Sequence, residues 1–287
     1  MPISTGPEDL GELERMLKRI MVAVVCIPLI FVIFFLLPDI ALPIAIAILS
    51  ALAVYEALWT TGFAKNPWLV AGSMLLAGAI PFWVYWGEDR FVGLCALLAY
   101  FCLIFIVAIS SKYKVTTEKL CGAFFFTAFI SYFLSSFVRL NALDGGKYFI
   151  LLPLVAAFLS DAFALFAGML FGRHKLAPTL SPKKTVEGSI GGLIGAVGGM
   201  LIYGVVMQQG YHLEVNYLLL AVYGLLGSAI SQLGDLSFSY IKRQSQIKDF
   251  GNIFPGHGGV LDRFDSVIFC GPLMEILIRL IPAIVAA

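Results

Sequence analysis

Charge is what this sequence has least of. Asp, Glu, Lys and Arg together make up 13% of its 287 residues, against 60% hydrophobic, whereas soluble domains carry about 25% charged residues. That shortage argues against a water-soluble enzyme and points to a membrane protein. The five cysteines, Cys26, Cys95, Cys102, Cys121 and Cys270, sit inside apolar runs with no CxxC spacing. They read as small buried hydrophobes, and neither a disulfide framework nor a zinc site is supported. The formal net charge of +1 says nothing about partners, and nucleic acid is not expected among them.

What fills the chain instead is a series of apolar runs. A membrane-spanning helix needs about 20 mainly apolar residues. On that ruler about nine spans are expected, near 18–37, 40–61, 68–87, 91–110, 118–139, 148–171, 186–207, 214–241 and 264–284. The fold expected is therefore all-α and polytopic. Residues 1–17 read as a polar, acidic tail. The run Met21–Leu37 has no small-residue cleavage site and reads as the first span, not a signal peptide. Residues 18–140 form an N-terminal block of spans, and residues 141–287 a C-terminal block with polar loops at 172–185 and 242–262.

The basic residues orient the chain. With the N-terminus in the cytoplasm, Arg15, Lys18, Arg19, Lys65, Lys112, Lys114, Lys119, Arg173, Lys175, Lys183, Lys184, Lys242, Arg243, Lys248 and Arg263 all face that side. Only Arg90, Arg139 and Lys147 fall opposite. This is the asymmetry of the positive-inside rule, and it favours an odd number of spans.

Acidic residues inside apolar spans are costly and mark functional candidates. There are four: Glu56, Asp161, Asp235 and Glu275. Glu275 has Arg279 four residues on, a helical pair that satisfies both charges structurally. Glu56 has no basic partner in its span, and the sequence leaves it open between a hydrogen-bonded helix contact and a functional group. Asp161 is equally open between pairing with a neighbouring helix and function. Asp235 is the stronger candidate. Ser228, Ser231, Asp235, Ser239 and Lys242 recur at spacings of three and four, which places them on one helix face. Such a stripe needs a wet cavity or another polar group.

Two loops concentrate the remaining charge. In Gly172–Thr185, Ser181-Pro182 reads as a helix start with Lys183 and Lys184 in its first turn. Cations are unfavourable at a helix N-terminus, so an anion is expected beside them, and an anionic lipid headgroup satisfies that expectation. The second loop runs Lys242–Asp262 and continues to Asp265. Lys242, Arg243 and Lys248 supply positive charge for phosphates; Asp249, Asp262 and Asp265 supply the hard oxygens that magnesium takes. Gly256-His257-Gly258-Gly259 lets the backbone approach a ligand, and the amides opening the next helix form an expected anion site. His257 reads as a positioning hydrogen-bond donor, with acid/base work as the alternative. The combination argues for a metal–polyphosphate substrate.

Ser239-Tyr-Ile-Lys-Arg243, then Lys248-Asp249-Phe-Gly251, then Phe254-Pro-Gly-His257-Gly-Gly-Val-Leu-Asp262-Arg263-Phe-Asp265 resembles the signature of the phosphatidate cytidylyltransferases (CDP-diacylglycerol synthases). Ser181-Pro-Lys-Lys-Thr-Val-Glu-Gly188, within the segment from Asp161 to Gly192, also resembles that family. Both matches lie in the C-terminal half, and the N-terminal spans add nothing specific. The resemblance implies transfer of the cytidylyl group of CTP to phosphatidate, with Mg²⁺, giving CDP-diacylglycerol and pyrophosphate. It also implies a homodimer in the bacterial cytoplasmic (inner) membrane, with the site facing the cytoplasm; a further monovalent cation is left open. The catalytic set expected is Asp235, Lys248, Asp249, His257 and Asp262. Substrate contacts are expected from Asp161, Lys183, Lys184, Ser239, Lys242, Arg243, Gly258, Gly259 and Arg263. Asp235, Asp262 and Asp265 are the expected metal ligands.

Two rivals are weighed against that reading. Another membrane phosphotransferase, such as a CTP-dependent lipid kinase or an enzyme consuming CDP-lipids, shares the charges. The three helically spaced aspartates of the CDP-alcohol phosphotransferases are missing, however. An anion transporter would explain the intramembrane carboxylates, but it predicts inverted repeats, and none is visible.

Overall fold

A computed structural model describes residues 28–112, 114–253 and 258–285. Its elements are almost all helical. Residues 28–35 form α1. They are followed by α2 (Ala41–Tyr55), a π-helical turn (Glu56–Thr60), α3 (Pro67–Tyr85), α4 (Arg90–Ser110) and α5 (Thr117–Leu134). Two short helices, α6 (Ser136–Asn141) and α7 (Gly146–Phe149), lead into α8 (Leu152–Phe171). After a hairpin of β1 (Lys175–Ala177) and β2 (Ser181–Thr185) come α9 (Val186–Tyr211), β3 (Glu214–Val215), α10 (Tyr217–Gln244), α11 (Leu261–Leu280) and β4 (Ile284–Val285).

Among the described residues, seven helical segments are long and apolar enough to cross a membrane, which makes the chain a membrane protein. The expectation of about nine is not met in that count. Half of the expected first span, 18–37, lies outside the described residues. The expected last span is helical as α11, but Asp262, Arg263, Asp265, Glu275 and Arg279 keep it out of the apolar set. Polar residues punctuate the helices where the apolar runs break. The side chain of Asn66 accepts from the amides of Trp68 and Leu69 at 3.0 and 3.1 Å. Asp89 caps α4 through Val92 at 2.9 Å, and Asn216 caps α10 through Leu219 at 3.1 Å.

The C-terminal helices form the tightest part of the bundle. The glycines of α9 lie on α8: a Cβ built at Gly191 would stand 2.2 Å from the Ala167 methyl, and one at Gly199 2.0 Å from Leu159. The close helix–helix approach that small residues allow is thus made within the chain. Helix α10 packs against α9, α11 and α8, while α11 also reaches α5 and α6. Far along α11, Glu275 accepts from Arg279 Nε at 3.1 Å, the expected pair. It also accepts from buried Arg139 Nε at 2.7 Å. Both ends of α11 are therefore held by charged groups, because its other end meets the loops described next.

Candidate active site

The first polar loop is a hairpin, and that changes the expected role of its lysines. Strands β1 and β2 pair antiparallel with Lys175 opposite Thr185. Helix α9 begins only at Val186, and the Thr185 hydroxyl caps it by accepting from the Gly188 amide at 3.1 Å. Lys183 and Lys184 therefore lie on β2, before the helix and not in its first turn. The electrostatic conflict that was expected to demand an anion does not arise there. Pro182 explains the difference, since an edge strand tolerates a residue with no amide to donate. Glu187, in the first helical turn, accepts from the Arg173 and His174 amides at 3.1 and 3.2 Å and closes the base of the hairpin.

From β2, Lys184 reaches across to α10 and pairs with Asp235. The pair stands on the wall of a cavity of about 390 Å³ between α8, the hairpin, α9 and α10, which Asp161, Lys183, Ser189 and Gln232 also line. Leu165 and Met169 of α8 complete it as an apolar side and are largely exposed. One wall is thus charged and the other faces where lipid chains would lie. Below the charges, Gln232 donates to the Ser189 carbonyl and to Ser228 Oγ, both at 3.1 Å, and the hydroxyls of Ser160 and Ser228 meet at 2.7 Å. The polar stripe of α10 accordingly faces inward. It opens on the cavity at Asp235, where Ser239 Oγ donates to Asp235 Oδ1 at 3.4 Å, and is packed away at Ser228 and Ser231. Gln232 and Ser189 escaped the sequence reading, although Gln232 stands four residues after Ser228 and three before Asp235.

Asp262 sits differently. Its Oδ1 accepts from Lys242 Nζ at 2.9 Å, and its Oδ2 accepts from the Phe250 and Gly259 amides at 2.7 and 3.0 Å. The side chains of Lys242 and Asp262 are only 12% and 4% exposed. Lys242 also lies over the Phe250 ring, 5.5 Å from its centroid. This carboxylate ties the loop end Phe250 to the start of α11. Gly258, at φ +86°, has no alternative: a Cβ there would meet Asp262 Oδ2 at 2.8 Å in a backbone conformation that L side chains avoid.

The partner that the sequence left open for Glu56 is the start of α11. From the π-helical turn, Glu56 accepts from the Val260 and Leu261 amides, each at 2.9 Å, and is fully buried. The N-cap residue Val260 offers no side-chain acceptor, so a carboxylate from the N-terminal half does the capping. Together with Asp262, it occupies the amides of Gly259, Val260 and Leu261. The anion site expected at this helix start is filled by the chain's own carboxylates.

Other expected site residues stand further out. Arg243 donates to the carbonyls of Leu180 and Ile247 at 3.2 and 3.3 Å, bracing the hairpin against α10. Arg263, Lys248 and Asp249 are exposed. Lys248 and Asp249 make no side-chain hydrogen bond or ion pair among the described residues. His257 lies outside the described residues.

The oxygen donors suited to a hard cation are Asp161, Asp235 and Asp265. Asp161 and Asp265 each feel the charge of Asp235, and Asp265 also feels that of Asp161. Asp265 accepts from the Ser266 amide at 2.8 Å, and Asp161 accepts from Ser266 Oγ at 3.3 Å. Among the described residues, no three His, Cys, Asp or Glu side chains close on a common centre. Lys184, Lys242 and Arg263 supply positive charge around the trio. The chemistry of the donor set fits a magnesium–phosphate group, with Asp235 as its shared member.

Comparison with known proteins bears on the whole chain. The model of the cytidylyltransferase family matches residues 17–281. A phosphatidate cytidylyltransferase of Staphylococcus haemolyticus is 45% identical over 133 residues, which cover 46% of this chain and 50% of that protein. One of Bacillus subtilis is 41% identical over 145 residues, 50% of this chain and 52% of that protein. One of Staphylococcus aureus (strain COL) is 43% identical over 133 residues, again 46% and 50%. The chain spans about half the length of the curated relatives it matches.

Proposed function

The chain belongs to the cytidylyltransferase family, and from that premise we propose that it transfers the cytidylyl group of CTP to phosphatidate, releasing pyrophosphate and leaving CDP-diacylglycerol. The observation that carries the proposal is the cavity beside α8. Lys183, Lys184, Asp161 and Asp235 face an apolar side formed by Leu165 and Met169. A lipid phosphate needs that combination, with acyl chains against α8 and the headgroup among the charges. The names of the relatives point to the same substrate pair.

The phosphate of phosphatidate is already an anion, so the reaction needs no strong general base. The site must hold like charges together, align the nucleophile with the α-phosphorus, and stabilise the departing pyrophosphate. Lys184, held at the wall by Asp235, and Lys183 beside it receive the incoming phosphate. Arg263 and Lys248, both exposed, would contact the triphosphate or the lipid phosphate. Asp235 with Asp161 and Asp265 would hold Mg²⁺, which supplies charge neutralisation and phosphate orientation when bound. Asp262, whose oxygens already accept from Lys242 and two amides, holds Phe250 and Gly259 at the start of α11. A cytoplasmic site in the bacterial inner membrane belongs to the same proposal and is supported by the basic residues of the two loops. The homodimer rests on the family resemblance.

The test is pyrophosphate release by the purified protein in detergent, from CTP plus phosphatidate, with and without Mg²⁺. Release should require both the lipid and the metal and stop on chelation. Absence of release with any nucleotide from well-folded protein would overturn the proposal in favour of anion transport.

A further inference from the structure

The cavity and the lysine–aspartate pairs belong to the site already described, but Glu56 does not. It comes from a span with no sequence signature, and its Oε1 and Oε2 each take one amide of the first residues of α11. The loop has no room for anything else at this point. A Cβ at Gly259 would stand 2.3 Å from Glu56 Oε1, and one at Gly251 2.6 Å from the same atom. The glycines on either side of the 252–258 stretch are thus pressed against one carboxylate. On the same π-helical turn, the Thr60 hydroxyl reaches the Phe250 carbonyl. Phe250 is the residue whose amide is held by Asp262. The backbone at Phe250 and that at Val260 and Leu261 are therefore fastened to two side chains of the N-terminal half, Glu56 and Thr60.

The extra residue per turn of a π-helix is costly and persists where it places a group. Here the turn brings Glu56 and Thr60 to the loop together, although an α-helix would also set residues four apart on one face. The consequence reaches the chemistry through α11, whose first turn carries Asp262 and Asp265. A shift of that turn moves both carboxylates relative to Asp235 on α10.

We propose that Glu56 is a positioning residue. Its carboxylate fixes the depth and angle at which Gly259 and the first turn of α11 pack against α10, and it touches neither substrate. Its kinetic consequence rests on the cytidylyltransfer reading; the clamp itself does not.

The experiment compares wild type, Glu56→Gln, Thr60→Val and the control Glu275→Gln, which alters a buried carboxylate of α11 at its far end. Two readouts are taken on the same detergent preparations: backbone amide exchange over residues 249–265, and kcat and KM for CTP and phosphatidate. Gln keeps the shape of Glu56 but presents one acceptor and one donor to two amide donors. Amide exchange at 259–261 should rise at least about tenfold in Glu56→Gln, with α8 and α9 unchanged. Its kcat should fall roughly 100-fold, as for a misplacement of about 1 Å, with KM nearly constant. Thr60→Val should show both effects more weakly, and serves if Glu56→Gln does not fold. The control should lose stability while its folded fraction keeps wild-type kcat and loop exchange. Unchanged loop exchange in both clamp variants would overturn the inference. So would kcat losses that the control reproduces. Should wild type release no pyrophosphate, the exchange data still decide the clamp, and only the cytidylyltransfer reading fails.

Discussion

Lys184–Asp235 ties β2 to α10 and Lys242–Asp262 ties α10 to α11, the same two residue types in different surroundings. The first pair is 27% and 24% exposed and stands on a cavity wall; the second is 12% and 4% exposed, with two amides on the far oxygen of its aspartate. A partly solvated pair contributes little to stability, about 0–1 kcal/mol, and its members can exchange partners when an anion or cation arrives. A buried pair is costly to break from one side, because the survivor is left as an uncompensated charge. The same chemical unit thus serves as an exchangeable contact in one place and a structural tie in the other. Burial and the number of hydrogen bonds decide which.

Substitutions can break this contrast, and the largest effect is expected at Asp235. Asp235→Asn should lower kcat about 100- to 1,000-fold, the range for removing one preorganised electrostatic group. Its unfolding midpoint in detergent should stay near wild type. A midpoint that collapses together with activity would make Asp235 a structural residue like Asp262. Next comes Asp262→Asn, for which the unfolding free energy should fall by about 3–5 kcal/mol, with faster amide exchange at Phe250 and Gly259. If it stays as stable as wild type, the two pairs are equivalent and the contrast is lost.

Lys184→Met should raise the KM for phosphatidate about tenfold, one charge-assisted contact's worth, while stability changes by less than about 1 kcal/mol. A change confined to the KM for CTP would move Lys184 to the nucleotide. The smallest effect belongs to Arg243→Gln. This exposed side chain donates to two carbonyls, Leu180 and Ile247, and it was expected to bind phosphate. Bracing predicts a change of at most about threefold in KM and a more mobile hairpin in exchange measurements. A loss comparable to that of Lys184→Met would restore the phosphate role.

The residues most visible in the sequence are not uniformly those at the cavity. Asp235 was legible because a polar stripe on an apolar helix has to face something polar, and its spacing named the face. Lys183 and Lys184 were legible as a basic pair at a membrane edge, but their strand was not. Pro182 fits both a helix start and an edge strand, and only pairing with β1 chooses between them. Asp262 was read as an oxygen donor, as its residue type allows. Its engagement with Lys242, Phe250 and Gly259 depends on a loop closing back over 12 residues, which no periodicity records. Gln232, although it continues the stripe of Ser228 and Asp235, and Ser189 were missed because neutral polar residues in a span carry no charge cost to flag them.

By itself, the sequence determined that this is a helical membrane protein, where most of its helices run, and which two loops carry the charge. Those properties follow from local composition and from the cost of placing polar groups in hydrocarbon, which every segment bears independently of the others. Only the tertiary structure decided which charge meets which. Glu56 and Leu261 are 205 residues apart, and nothing in either segment specifies the other. Their contact exists because the packing of α2, α5 and α11 brings a carboxylate with no partner of its own to a helix start with no cap of its own.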